Sequence, residues 1–169
     1  VKAVLSQDAA LIDQVRARDL EIDLMEVDFE EECLKVLALH QPVAIDLRFV
    51  IAVLKINNDL ERIGDLAVSI AEHARNFPAE SDADALGRVP RMAEAAQSML
   101  RKSLDAVVGM DADLAHEVMA CDDDVDRDYF ELTQTLRQRM REDAGLVDSL
   151  LPVMLVSKHI ERIADLATN

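Results

Sequence analysis

Eight carboxylates fall into four pairs, each with its members four residues apart: Asp19/Asp23, Glu61/Asp65, Asp122/Asp126 and Glu161/Asp165. On a helix, side chains at that spacing stand one turn apart on a single face. Two carboxylates so placed repel by a few tenths of a kcal/mol, and a cation held between them removes the penalty. Pairs from two neighbouring helices would offer a hard, oxygen-rich site for a metal such as iron, manganese or magnesium. Asn58, one turn before Glu61, offers another oxygen, whereas its counterpart is Lys158. Glu26 and Glu30 extend the first acidic stripe where the second copy has Tyr129 and Thr133.

The pairs recur because the chain is duplicated. With an offset of 103, Asp8, Val15, Asp19, Ile22 and Asp23 meet Asp111, Val118, Asp122, Val125 and Asp126. With an offset of 100, Glu61–Ala67 meets Glu161–Ala167, so the second copy has lost three residues in between, near Ala144-Gly145. A repeat at this scale marks a supersecondary unit stated twice.

Stepwise apolar spacing makes every unit helical, and no window alternates with the period of a strand. The expected helices run to about Leu5, then from Asp8 as N-cap to about Leu39, Val43 to Arg75, Arg91 to Val108, Asp111 to about Asp143, and from between Leu146 and Ser149 onward. Pro152 falls within the last and either sits in its first turn or kinks it. The expected architecture is all-α: two tandem three-helix bundles related by pseudo-symmetry. The first occupies residues 1–76, a linker residues 77–90 and the second residues 91–169. The first helix and the last read as incomplete. Val15, Ile22, Met25, Phe29 and Val36 mark the expected core stripe of one helix, and Val53, Ile56, Leu60, Ile63, Ala67 and Ile70 that of the next. Asp19 and Asp23 then lie roughly 80° to 110° from the stripe's centre, and Glu61 and Asp65 roughly 120° to 160°.

Composition narrows the function classes. A net charge of −16, from 34 acidic and 18 basic residues, repels phosphate backbones and anionic membranes and argues against nucleic-acid binding. Cys33 and Cys121 belong to no Cys-x-x-Cys motif, so they read as structural thiols of a reducing cytoplasm. There is no signal peptide and no apolar run of 18 residues. Catalysis has little support. Carboxylate-bridged oxidases in helical bundles use Glu-x-x-His pairs, and no Glu here has a His three residues later. A hydrolase or oxidase using the same carboxylates remains the competing reading. So does a plain scaffold whose acidic faces are solvated and paired with Arg62 and Arg162. His40, His73 and His159 read as scattered and exposed, with His159 alone beside a motif.

The stretches Asn58-Asp59-Leu60-Glu61-Arg62-Ile63-Gly64-Asp65 and Ile160-Glu161-Arg162-Ile163-Ala164-Asp165, with Gln41-Pro42 and Asp46-Leu47-Arg48 ahead of the first, resemble the signature of the PhoU family. The resemblance covers nearly the whole chain. It implies two pseudo-symmetric three-helix bundles whose Glu/Asp-x-x-x-Asp motifs bind multinuclear metal clusters. Carried onto this chain, the ligands are Asp19, Asp23, Glu61, Asp65, Asp122, Asp126, Glu161 and Asp165. Iron is the first expectation, with zinc, manganese or magnesium as alternatives. The implied role is regulatory rather than enzymatic: coupling a phosphate ABC transporter, through its ATPase subunit, to a sensor histidine kinase, and repressing phosphate-starvation genes. A cytoplasmic homodimer that meets the membrane only through the transporter is expected. Ala164 in place of the motif glycine exchanges one small residue for another, whereas Lys158 for Asn58 bears on metal loading in the second copy.

Overall fold

A computed structural model describes residues 8–74 and 83–169, and every element among them is helical. The carboxylate of Asp8 accepts a hydrogen bond of 2.9 Å from the N–H of Ala10 and caps α1 (Ala9–His40). Such a cap satisfies a donor that the helix start leaves unpaired and contributes about 1 kcal/mol. α1 ends where Gln41 turns into the left-handed region, φ 46°, just before Pro42. There follow α2 (Ile45–Ala74), α3 (Ala83–Gly109), α4 (Ala112–Glu142), a 3-10 turn (Ala144–Leu146) and α5 (Val147–Thr168). Asp111 repeats the first cap on α4 by accepting from Leu114 at 3.0 Å, so the duplication extends to the capping residues.

Helix α3 starts earlier than the sequence suggests. Pro90 lies inside it, and of the expected linker, residues 83–90 are helix while 77–82 lie outside the described residues. The reason is tertiary. Val89, Met92, Ala93, Ala96 and Met99 form one continuous buried face, and packing along that face outweighs the missing N–H of a single proline. Pro152 likewise sits, buried, in the second turn of α5. The expected helix end near Leu5 falls outside the described residues.

The main core belongs to the second repeat. Met92 and Met99 of α3, Val118, Val125, Leu132 and Leu136 of α4, and Val153, Val156 and Ile160 of α5 are buried in one cluster. Among the described residues, helix α5 packs on α2, α3 and α4, whereas α1 packs on α2 alone. The described part of the first repeat is therefore a helix pair, and only Ile12 and Ala71 form a buried cluster there. This corrects the stripe expected on α1. Val15 and Ile22 are half-buried, but Met25, Phe29 and Val36 are exposed, Met25 to 69 %. Within the described residues α1 has one neighbour, which covers only the face turned to it.

This asymmetry predicts unequal costs of truncation. Leu136→Ala should cost about 2–5 kcal/mol, as expected for a fully buried leucine. Met25→Ala should stay within about 0.5 kcal/mol. Urea unfolding midpoints check both, and equal losses would mean that the outer face of α1 is covered in solution.

Candidate metal centres

In the second repeat, buried Val125 of α4 and buried Ile160 and Ala164 of α5 clamp the two helices together. Asp122 and Asp126 flank Val125 on α4, and Asp165 follows Ala164 on α5, so packing of the small and branched residues brings the acids across the seam. One carboxylate oxygen from each of Asp122, Asp126 and Asp165 lies within 4.8 Å of the other two. Glu161, one turn before Asp165, is half-buried beside them.

The corresponding groove of the first repeat lies between α1 and α2. Asn57 holds it in register by donating to the backbone oxygen of Glu26 at 2.9 Å. Gly64 is buried, and a Cβ there would stand 2.7 Å from Oδ1 of Asp19 and 3.5 Å from Ile22. The glycine is thus the place where α1 seats its carboxylate directly against α2. Its counterpart Ala164 carries that Cβ and is itself fully buried, so the exchange is not neutral: the two grooves are built differently at their floors. Among the described residues, no three acids of the first groove gather as tightly as those of the second.

Electrostatics are unfavourable in both grooves. Burial, reinforced by Asp23 and Asp65, raises the carboxyl of Asp19 above its ordinary value. Burial and then Asp65, Asp23, Glu26 and Asp19 do the same to Glu61. Asp122 is raised by burial and by Asp126, Asp165 and Asp123, and Asp126 by burial, Asp165 and Asp123. Glu161 is raised by burial, Asp165 and Asp126, with Lys158 and Arg162 opposing. Three buried oxygens in these grooves, Asp19 Oδ1, Asp122 Oδ1 and Glu161 Oε2, have no hydrogen-bond partner. Buried polar atoms are normally paired. An all-carboxylate set with orphaned oxygens and mutual repulsion fits a hard cation, whose charge would satisfy both deficits.

Of the eight acids expected from the sequence, Asp122, Asp126 and Asp165 come together tightly with Glu161 beside them, while Asp19, Asp23, Glu61 and Asp65 share the first groove near enough to feel one another's charge. The scaffold reading pairs these acids with Arg62 and Arg162, yet among the described residues neither arginine forms an ion pair, although the charge of Arg162 does oppose the rise at Glu161. Arg62 instead lines, with Arg48 and Lys55, a cleft of about 820 Å³ between α2, α3 and the end of α5. The histidines also depart from expectation. His73 and His159 are half-buried and stacked, with ring centroids 5.6 Å apart and planes 11° from parallel. Antiparallel contact of α2 with α5 creates this pair, which single-helix spacing does not reveal.

A tandem helical repeat with an acidic groove in each copy defines the class of protein. The family profile described as PhoU domain matches residues 1–74 and 89–169, and the chain belongs to the PhoU family. It is 38 % identical over 170 residues to the "Phosphate-specific transport system accessory protein PhoU homolog" of Pseudomonas putida, covering all of this chain and 66 % of that protein. A Clostridium acetobutylicum protein of the same description is 36 % identical over 170 residues, with 78 % of its length covered. The crystal structure of PhoU from Pseudomonas aeruginosa matches with a TM-score of 0.92 at 37 % identity, over 99 % of this chain and 80 % of that one. That of the phosphate transport system regulatory protein PhoU from Streptococcus pneumoniae gives 0.89 at 27 % identity, over 99 % and 78 %.

Each raised carboxyl binds its proton more tightly in the folded than in the unfolded chain. As pH rises above the ordinary carboxylate range, each therefore costs stability, and below that range the cost is absent. Asp126→Asn should raise the Tm of metal-stripped protein by a few degrees at about pH 7, with the gain shrinking toward about pH 4. The same variant should lose most of the Tm increase that manganese(II) gives the parent. Differential scanning fluorimetry reads both, and a destabilised metal-free variant would contradict the electrostatic picture.

Proposed function

We propose that the protein is a metal-bearing regulator of phosphate uptake and of phosphate-starvation signalling. In this reading it is an adaptor that couples the ATPase subunit of a phosphate ABC transporter to a sensor histidine kinase. It restrains starvation genes while phosphate is plentiful. Family membership and the names of the relatives support the phosphate-transport part. The metal part rests on one observation above all, the three aspartate oxygens of α4 and α5 gathered within 4.8 Å. Asp122, Asp126, Asp165 and Glu161 would hold an ion in the second groove, and Asp19, Asp23, Glu61 and Asp65 in the first. A bound cation would cross-link neighbouring helices and fix the surface they present to a partner. Iron remains the first expectation for its identity.

An adaptor needs no reactive group, which agrees with the absence of a Glu-x-x-His pair from the sequence. No described helix is long and apolar enough to cross a membrane, and a chain of charge −16 is repelled by anionic lipid. In this proposal the protein meets the membrane through the transporter, from the cytoplasm and as a homodimer.

The test is regulatory. In cells lacking their own copy, a phosphate-starvation promoter fused to a reporter should be silent in phosphate-rich medium when the parent protein is supplied. Asp126→Asn/Asp165→Asn should derepress it several-fold at equal protein level and unchanged helicity. Full repression by the variant would remove the acids from the regulatory mechanism.

A further inference from the structure

We propose that the cleft between α2, α3 and the end of α5 docks an amphipathic helix of a partner protein, one with acidic residues two turns apart beside an apolar stripe. The inference goes beyond the adaptor reading and needs no metal. Arg48, Lys55 and Arg62 line the cleft and stand seven residues apart on α2. Each interval is about two turns and about 10.5 Å of rise, so the three cations form one row about 21 Å long.

Elsewhere in the chain basic side chains bridge helices. Arg16 joins α1 to Glu72 of α2, and Arg88, Arg91 and Lys102 join α3 to Glu131, Asp128 and Glu117 of α4. Arg48, Lys55 and Arg62 are exposed, and none of them forms an ion pair among the described residues. Asp59 is the one acidic side chain that lines the cleft among the described residues. The basic edge therefore keeps a net positive charge in a chain that is strongly negative overall.

The opposite wall is apolar. Leu100, Leu104 and Val107 of α3 line it and share one helix face, and Ile51 joins them from α2. Ile51 and Val107 are exposed, so an occupant can still remove apolar surface from water. Charge row and apolar wall together select the occupant. A single phosphate group is too small, because donors must come within about 3 Å of its oxygens and the ends of the row lie too far apart. An extended polyanion could follow the row, but it would leave the apolar wall bare. The charge of −16 would also repel it at a distance. A helix laid along the cleft answers both sides, with apolar residues on the wall and carboxylates meeting the cations. Burial of its stripe offsets the long-range repulsion that a bare polyanion cannot offset.

The probe is a fluorescent synthetic helix of about 21 residues, long enough to run the whole cleft. It carries one leucine stripe with glutamate at every seventh position beside it, and a twin carries glutamine instead. Fluorescence anisotropy with the full chain, in the presence of a chelator, reads binding. The acidic peptide is expected to bind the parent about tenfold more tightly than its twin. Lys55→Glu/Arg62→Glu should abolish that preference, whereas Leu104→Gln should weaken both peptides and leave the preference intact. Arg137→Glu/Arg141→Glu makes the same change of net charge on α4, which does not pack on α2 among the described residues, and should leave the preference in place. Circular dichroism verifies that each variant is folded. The inference is overturned if the acidic peptide does not bind or shows no preference over its twin. It is equally overturned if the preference survives Lys55→Glu/Arg62→Glu or is lost as fully in the α4 control. Inorganic polyphosphate binding to a parent that ignores the peptide would assign the row to an extended anion instead. None of these outcomes bears on the metal reading.

Discussion

Like charges held together and only weakly countered are the constraint on which this molecule turns. Asp19 and Glu61 in one groove, and Asp122, Asp126 and Glu161 in the other, are carboxyls that their surroundings push toward the neutral form. Buried oxygens left unpaired ordinarily cost about 1–3 kcal/mol each. A fold that carries such groups must be stabilised elsewhere, and it must hold the acids where they would otherwise move apart.

The second repeat supplies that support. Its acids project from the seam of a bundle whose core runs through Leu132, Leu136, Val153 and Val156. Val125 and Ala164 sit at the roots of the acidic side chains, so repulsion cannot be relieved without opening the core. In the first repeat the means are local. Gly64 admits the Asp19 carboxylate against α2, and Asn57 ties α2 to the backbone of α1. One groove is held by packing and the other by close approach and a hydrogen bond, which is why two copies of one motif differ in geometry.

Most of this organisation is legible in the residues. The i,i+4 acids, the offsets of 103 and 100, and the caps Asp8 and Asp111 fix the helices and name the eight candidate acids, because helical period and capping chemistry are local. What the sequence hides is what depends on neighbours. Met25 and Phe29 share a stripe with Ile22, yet only a residue facing a packed helix is buried. Pro90 reads as a break until the buried faces of Val89 and Met92 are seen to continue through it. Gly64 and Ala164 look equivalent until the Asp19 carboxylate is placed beside the first. The stack of His73 on His159 belongs to two helices at once and has no one-dimensional signal.

The central claim is that the acids of α4 and α5 converge to receive a cation. Crystals of the protein grown with manganese(II), measured at wavelengths on either side of the manganese absorption edge, test it most directly. The account predicts an anomalous peak bonded to oxygens of Asp122, Asp126 and Asp165, with those carboxylates, already within 4.8 Å of one another, drawn further inward. Well-ordered aspartates with no anomalous density between them, or carboxylates turned apart toward solvent, would contradict it.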